Sequence, residues 1–194
     1  MIEPAPKEPT LQQAMEWIVR ALRDEGFDVL LGGRSALDFQ GEYTGSIGAD
    51  VLVGTDFRGA LSVLDAYVDR GDLNPAGVVP RSVARFLVSG LKPVDVLDVS
   101  AVHPRLFDLL WDEASMQVEM GGAGGVRVVT REGYFVLAVM VGLRGFARDK
   151  EDPMGKVMDG WEMFGKRTDK DAAERLLEKL GARGVLEEVL RRRR

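Results

Sequence analysis

Two acids lie inside short apolar runs downstream of a glycine pair, and this arrangement restricts the possible folds more than any other feature of the chain. Phe27 to Leu31 reads as a short buried strand, and Gly32-Gly33-Arg34-Ser35 turns it into a short helix over Ser35 to Phe39. Ala49 to Val53 is a second strand and carries Asp50; Val94 to Val99 is a later one and carries Asp95 and Asp98. Asp95, flanked by Val94 and Val96, is costly to bury unless a metal, a positive charge or hydrogen bonds compensate it. Its other reading is a solvent-facing position on an edge strand. Asp95 and Asp98 are three apart, so a regular strand points them to opposite faces and only one can join Asp50. Asp95 is the expected partner, with Asp98 near the strand end. Residues two apart share a face, so a side chain at position 48 would stand beside Asp50, and Gly48 supplies none.

The remaining pattern fills in around these strands. Thr10 caps a helix with an apolar stripe at Leu11, Ala14, Met15, Ile18, Ala21 and Leu22, and Gly26 ends it in the left-handed conformation. Thr55 is the expected cap of a helix bearing Phe57, Ala60, Leu61, Leu64 and Val68 and ended by Gly71. Asp72 to Pro80 reads as a loop. Val83 to Val88 and Val94 to Val99 read as a hairpin, Pro104 opens a short helix through Trp111, and Met116 to Met120 and Val126 to Val129 flank the turn Gly121 to Gly125. From Thr130 the period is helical, with helices over Tyr134 to Val141, Met154 to Phe164, Asp169 to Leu180 and Val185 to Leu190. The chain therefore divides near Val129, into an α/β part over 1–129 and a helical part over 130–194.

Composition removes several classes of chemistry. The 194 residues contain no Cys and one His, so disulfides and thiolate or His-rich zinc sites are out of reach, and any metal must be hard and oxygen-bound. The net charge of -5 argues against a broad grip on a nucleic-acid backbone. No apolar run approaches a membrane span and no signal-type segment precedes the first helix, so the chain reads as cytoplasmic with no membrane partner. A single Asn, no Cys and more Arg than Lys fit a thermophile.

The glycine pair has two readings. It is either a turn whose backbone N–H groups, with Arg34 and Ser35, cradle phosphate, or a tight turn needing only glycine's freedom at positive φ. Gly121 to Gly125 lacks the Lys-Ser/Thr of a phosphate loop and reads as a hairpin turn. Arg144, Arg148 and Lys150 sit among Asp149, Glu151 and Asp152 and read as a solvated stretch. His103 has no visible partner for a base role, and Arg191 to Arg194 read as a solvated tail.

The order Gly32-Gly33, Ser46, Asp50, Asp95 resembles the nucleotidyltransferase-fold superfamily. It is similar in particular to small prokaryotic proteins of the abortive-infection, type IV toxin-antitoxin group. Gly48 stands where the first acid of their Asp-x-Asp belongs, and Tyr43-Thr44-Gly45 lacks the basic residue usual before the Ser or Thr. The helix from Arg131 to Gly145 and the charged stretch leading to Asp159 are like the helical tail of those proteins, without the Lys expected on the first tail helix. The resemblance implies an α+β fold, a mixed sheet with flanking helices followed by a C-terminal helical bundle. It also implies Gly32, Gly33, Arg34, Ser35 and Ser46 as nucleotide-binding residues and Asp50 and Asp95 as catalytic Mg2+ ligands.

Two readings of activity stay open on these residues. One is Mg2+-dependent transfer of a nucleotidyl group from a nucleoside triphosphate to a hydroxyl on RNA, protein or a small molecule, because one Mg2+ can use one or two carboxylates with waters and substrate phosphates. The other is a degenerate member acting as a nucleotide-sensing or protein-binding module, with a toxin-antitoxin or defence system as the setting the resemblance implies and the gap at Gly48 as its motive. A scaffold whose helical part forms a homo-oligomer through Met140, Trp161, Met163 and Phe164 is the third alternative, although core is the usual role of such stripes.

Overall fold

A computed structural model describes residues 7–42, 44–45, 48–71, 82–88, 92–143 and 154–192. Helix α1 (Leu11–Asp24) begins where expected. Thr10 Oγ1 accepts from the Gln13 N–H at 3.2 Å while Gln13 Oε1 accepts from the Thr10 N–H at 2.9 Å, so two of the orphan donors of a helix start are satisfied reciprocally. Gly26, at φ +87°, closes the far end, and Phe27 N–H reaches back to Leu22 O. The chain then runs β1 (Val29–Gly32), α2 (Gly33–Asp38), β2 (Ala49–Val53), α3 (Phe57–Asp65), β3 (Asp69–Gly71), β4 (Val83–Val88), β5 (Lys92–Asp98), α4 (Leu106–Glu113), β6 (Ser115–Met120), β7 (Gly124–Val129), α5 (Arg131–Leu143), α6 (Gly155–Phe164), α7 (Lys170–Lys179) and α8 (Val185–Arg191).

The seven strands form one mixed sheet in the order β3-β4-β5-β2-β1-β7-β6. β4 and β5 pair antiparallel, as the hairpin reading expects, and so do β6 and β7; β2 lies parallel to β5, and β1 parallel to β7. Crossovers thus place β2 and β5, far apart in sequence, side by side at the centre. Since β5 lies between β4 and β2, Asp95 is not on an edge strand, and it is 6% exposed.

Three sequence expectations are corrected. Asp56, not Thr55, caps α3: it adopts φ +46°, and its carboxylate accepts from the Gly59 N–H at 3.0 Å. The helix stops at Asp65 rather than running to Gly71, because Asp69–Gly71 pairs with β4 as the outermost strand, and those ladder bonds outweigh the helical spacing of Val68. Arg105, rather than Pro104, precedes α4. The expected loop over 72–80 and the basic residues Arg144, Arg148 and Lys150 lie outside the described residues.

One continuous cluster of buried side chains joins the sheet to helices from both ends of the chain. It includes Ile18 and Leu22 of α1, Leu30 and Leu52 of the central strands, Phe135 of α5 and Leu177 of α7. Met140 and Phe164 belong to it and Trp161 packs against it, edge-on to Phe135, so of the four residues weighed for an oligomer only Met163 is exposed. Among the described residues no helix is long and apolar enough to cross a membrane.

Candidate functional site

Strand register builds the site. Asp50 on β2 is the Cα partner of Asp95 on β5 and of Gly32 on β1, and Asp95 is the partner of Arg85 on β4. In-register residues of neighbouring strands project to the same face. The sheet therefore presents a row across four strands: Arg85, Asp95, Asp50, Gly32. Asp98 is the partner of Val53 and serves the strand end instead. Its Oδ1 accepts from Ser100 Oγ at 2.5 Å and from the Ala101 N–H at 3.2 Å.

Arg85 answers the question that Asp95 raised. Its Nε donates to Asp95 Oδ1 at 2.8 Å and its Nη2 to Oδ2 at 3.0 Å, a two-pronged ion pair with about a quarter of the arginine side chain exposed and 9% of the aspartate's. The fork holds the Arg85 guanidinium even more firmly charged than usual; burial opposes this, while the charges of Asp95 and then Asp50 add to it. Asp50 folds over the glycine pair. A Cβ on Gly33, which sits at φ +60° as the first residue of α2, would lie 1.9 Å from Asp50 Oδ2, so only glycine leaves room for that carboxylate. Gly32 faces a similar limit, with its Cβ position 3.0 Å from the Leu52 methyls.

The other nucleotide-binding candidates are placed as follows. Arg34 is exposed at the start of α2 and hydrogen-bonds to the Tyr134 phenol of α5. Burial pushes the Tyr134 phenol up from its ordinary pKa; Arg34 opposes the rise, and the charges of Asp50 and Asp159 assist it. Asp50, Arg34, Tyr134 and Asp159 thus share one electrostatic neighbourhood, and Gly160 makes space for the phenol, its Cβ position lying 3.0 Å from Tyr134 Oη. Ser35 is buried and its hydroxyl donates to Gly32 O at 3.1 Å, which ties the turn to itself. Ser46 lies outside the described residues. Gly48 precedes β2, where a Cβ would approach Pro93 O to 3.3 Å.

The donor set for a divalent cation is short. Both Asp95 oxygens accept from Arg85, Gly48 offers no ligand, and among the described residues no group of three or more His, Cys, Asp or Glu is placed to hold a metal ion. These residues do not fit a two-ion site, which needs shared carboxylates between the ions. Elsewhere the glycine-rich turn is structural. Gly121–Ala123 forms a single 3-10 turn clamped by Arg23, whose Nη1 donates to Ala123 O and Gly125 O at 3.0 and 2.9 Å. His103 accepts from the Arg105 N–H through Nδ1 at 3.2 Å.

Sequence reasoning singled out neither Arg85 nor Tyr134. A signal for Arg85 was present: one cation inside the apolar run Val83 to Val88, opposite one acid in the hairpin partner strand, is the pattern of a cross-strand pair. Tyr134 carried none, because its approach to Arg34 depends on how α5 packs.

No protein-family model matches the sequence, and no curated protein does. Solved structures do match the fold. The crystal structure of ANT(2'')-Ia in complex with adenylyl-2''-tobramycin superposes with a TM-score of 0.53 at 13% identity, covering 90% of this chain and 98% of that one. The solution structure of the antibiotic-resistance factor ANT(2'')-Ia gives 0.51 at 13% identity, over 93% and 96%. An antigenic nucleotidyltransferase-like protein from Paracoccidioides brasiliensis gives 0.49 at 12%, over 97% and 94%. The likeness extends over nearly the whole chain, and the protein has a nucleotidyltransferase-like α+β fold.

Proposed function

We propose that the chain binds a nucleoside triphosphate at the row Arg85, Asp95, Asp50, Gly32 and acts as a nucleotide-sensing or protein-binding module of the nucleotidyltransferase fold. The observation that carries this reading is the fork from Arg85 to both oxygens of Asp95, which commits the carboxylate best placed to assist Asp50. The Gly32–Gly33 backbone and the Arg34 guanidinium take the phosphates. Ser35 contributes through its backbone, its hydroxyl being spent on Gly32 O. Ser46 is kept as a further phosphate donor on the strength of the motif alone. The partner in this reading is a protein, of the kind found in toxin-antitoxin or defence systems. Isothermal titration with ATP, GTP, CTP and UTP tests it. Saturable binding of at least one triphosphate is expected, weakened about tenfold in Arg34→Ala, equivalent to about 1.4 kcal/mol. No binding of any of the four ends the proposal.

One observation favours a second reading, Mg2+-dependent nucleotidyl transfer to a hydroxyl on RNA, protein or a small molecule: Asp50 and Asp95 are register partners on adjacent parallel strands. In this reading both are metal ligands and catalytic, and the ion shares the Asp95 oxygens with Arg85 or displaces it. Turnover of an NTP by wild-type protein with Mg2+, lost in Asp50→Asn, establishes it over the first. Gly48→Asp separates the two from the other side. If metal binding or turnover arises only in that variant, the site geometry has outlasted the chemistry; the tight approach to Pro93 O requires a small backbone adjustment to seat the new side chain.

A further inference from the structure

The site row contains its own cation. Arg85 projects from β4, a strand paired on both sides, so its backbone is held by ladders to β3 and β5. Its fork uses two of the five N–H donors of a guanidinium, and its side chain is the more exposed member of the pair. The charge of Asp50, two strands away on β2, also acts on it. A guanidinium cannot be deprotonated in a protein, matches carboxylate and phosphate geometry equally well, and needs no coordination shell. A divalent ion using both Asp50 and Asp95 would compete with Arg85 for the Asp95 oxygens that accept its fork, and its charge would be opposed by the guanidinium beside it.

We propose that Arg85 is a tethered counter-ion standing in for a divalent cation. It neutralises Asp95 and partly offsets the charge of Asp50 from within the chain, lets the site take nucleotide phosphates without metal, and masks a divalent-cation site that its removal uncovers. The phosphate half of this statement rests on the nucleotide-binding reading above; the masked-cation half stands without it.

The test uses the full chain as wild type, Arg85→Gln, Arg85→Lys and the double variant Arg85→Gln/Asp50→Asn. Mn2+ alone is titrated by electron paramagnetic resonance, and ATP is titrated with Mg2+ or with EDTA. Wild type is expected to show no saturable Mn2+ binding and ATP affinities within about twofold in the two buffers. Arg85→Gln gains saturable Mn2+ binding, at least about tenfold tighter than any seen for wild type, and the double variant loses it. Arg85→Lys, which keeps the charge but cannot fork, stays without Mn2+ and binds ATP more weakly in EDTA. Wild type that binds Mn2+ as tightly as Arg85→Gln, or ATP binding that vanishes in EDTA, overturns the proposal. If circular dichroism shows Arg85→Gln unfolded, wild type and Arg85→Lys decide: Mn2+ binding by either refutes the masking, and its absence from both with metal-independent ATP binding supports it. If wild type binds ATP in neither buffer, the nucleotide reading falls, and the Mn2+ titrations still judge Arg85.

Discussion

Gly33 and Asp50 are one conformational unit. The carboxylate lies where a Cβ would be, and the backbone is left-handed at that position, so Gly33→Ala meets both a φ penalty of roughly 1 kcal/mol and the expulsion of Asp50 from its seat. Chemical denaturation should show a loss of about 1–3 kcal/mol, and triphosphate binding should fall in the same variant. Arg85 and Asp95 make a complementary case. Removing Arg85 withdraws the two-pronged ion pair from a buried carboxylate, so Arg85→Met should cost about 2–3 kcal/mol after allowance for its partial exposure, while the double change Arg85→Met/Asp95→Leu should recover most of it. Denaturant midpoints of wild type and the two variants check this; a double variant no more stable than the single would show that the charge itself, not its isolation, matters. Tyr134 supplies the pH arm. Its folded-state pKa is raised, so its contribution to stability is complete below the ordinary phenol value and is lost as pH rises through the raised one. Phenolate absorbance should contain one late-titrating tyrosine that disappears in Tyr134→Phe. Of these residues, Asp50 and Asp95 were legible in the sequence because an acid in an apolar strand requires an explanation. Tyr134 was not, because its hydroxyl is tied to a residue one hundred positions away.

At the scale of elements, Glu42 joins the segment after α2 to the helices of the second half. Its Oε1 accepts from Arg131 Nε and from Arg167 Nη1, each at 3.1 Å, and Arg131 also donates to Gln40 O. Burial would raise the Glu42 carboxyl, but hydrogen bonds from Arg167 and Arg131, with the charge of both, hold it below the ordinary carboxylate range. Stability from this group is therefore present above the ordinary glutamate value and lost as pH falls through the lowered one. Glu42→Gln should flatten the acid limb of a plot of melting temperature against pH and leave the limb above neutrality unchanged; an unaltered acid limb would show that the bridge contributes nothing. Boundaries were the weakest part of the sequence reading for a related reason. The helix expected to reach Gly71 yields at Asp65 because β4 offers Asp69–Gly71 a ladder, and a partner strand twelve or more residues downstream leaves no mark on the local apolar period.

At the scale of the molecule, the division proposed near Val129 runs through a shared interior. Arg131 Nη2 donates to Gln40 O at 3.3 Å, Tyr134 meets Arg34, and buried side chains of α5 and α7 belong to the same cluster as the sheet. Thermal unfolding of the full chain is accordingly expected as one cooperative transition, with calorimetric and van't Hoff enthalpies in agreement; two resolved transitions would establish 1–129 and 130–194 as separate units. The sequence by itself determined the order of strand, glycine turn, helix and strand, the apolar faces, and the presence of an acid inside each of two apolar strands, because all of these follow from spacings of two to four residues. Only tertiary structure decided which strands are neighbours, and through that the character of the site. The parallel pairing of β2 with β5 brings Asp50 to Asp95, and the hairpin register of β4 sets Arg85 on that same carboxylate. Contacts of this kind depend on register and crossover between segments far apart in the chain, and local periodicity carries no information about either.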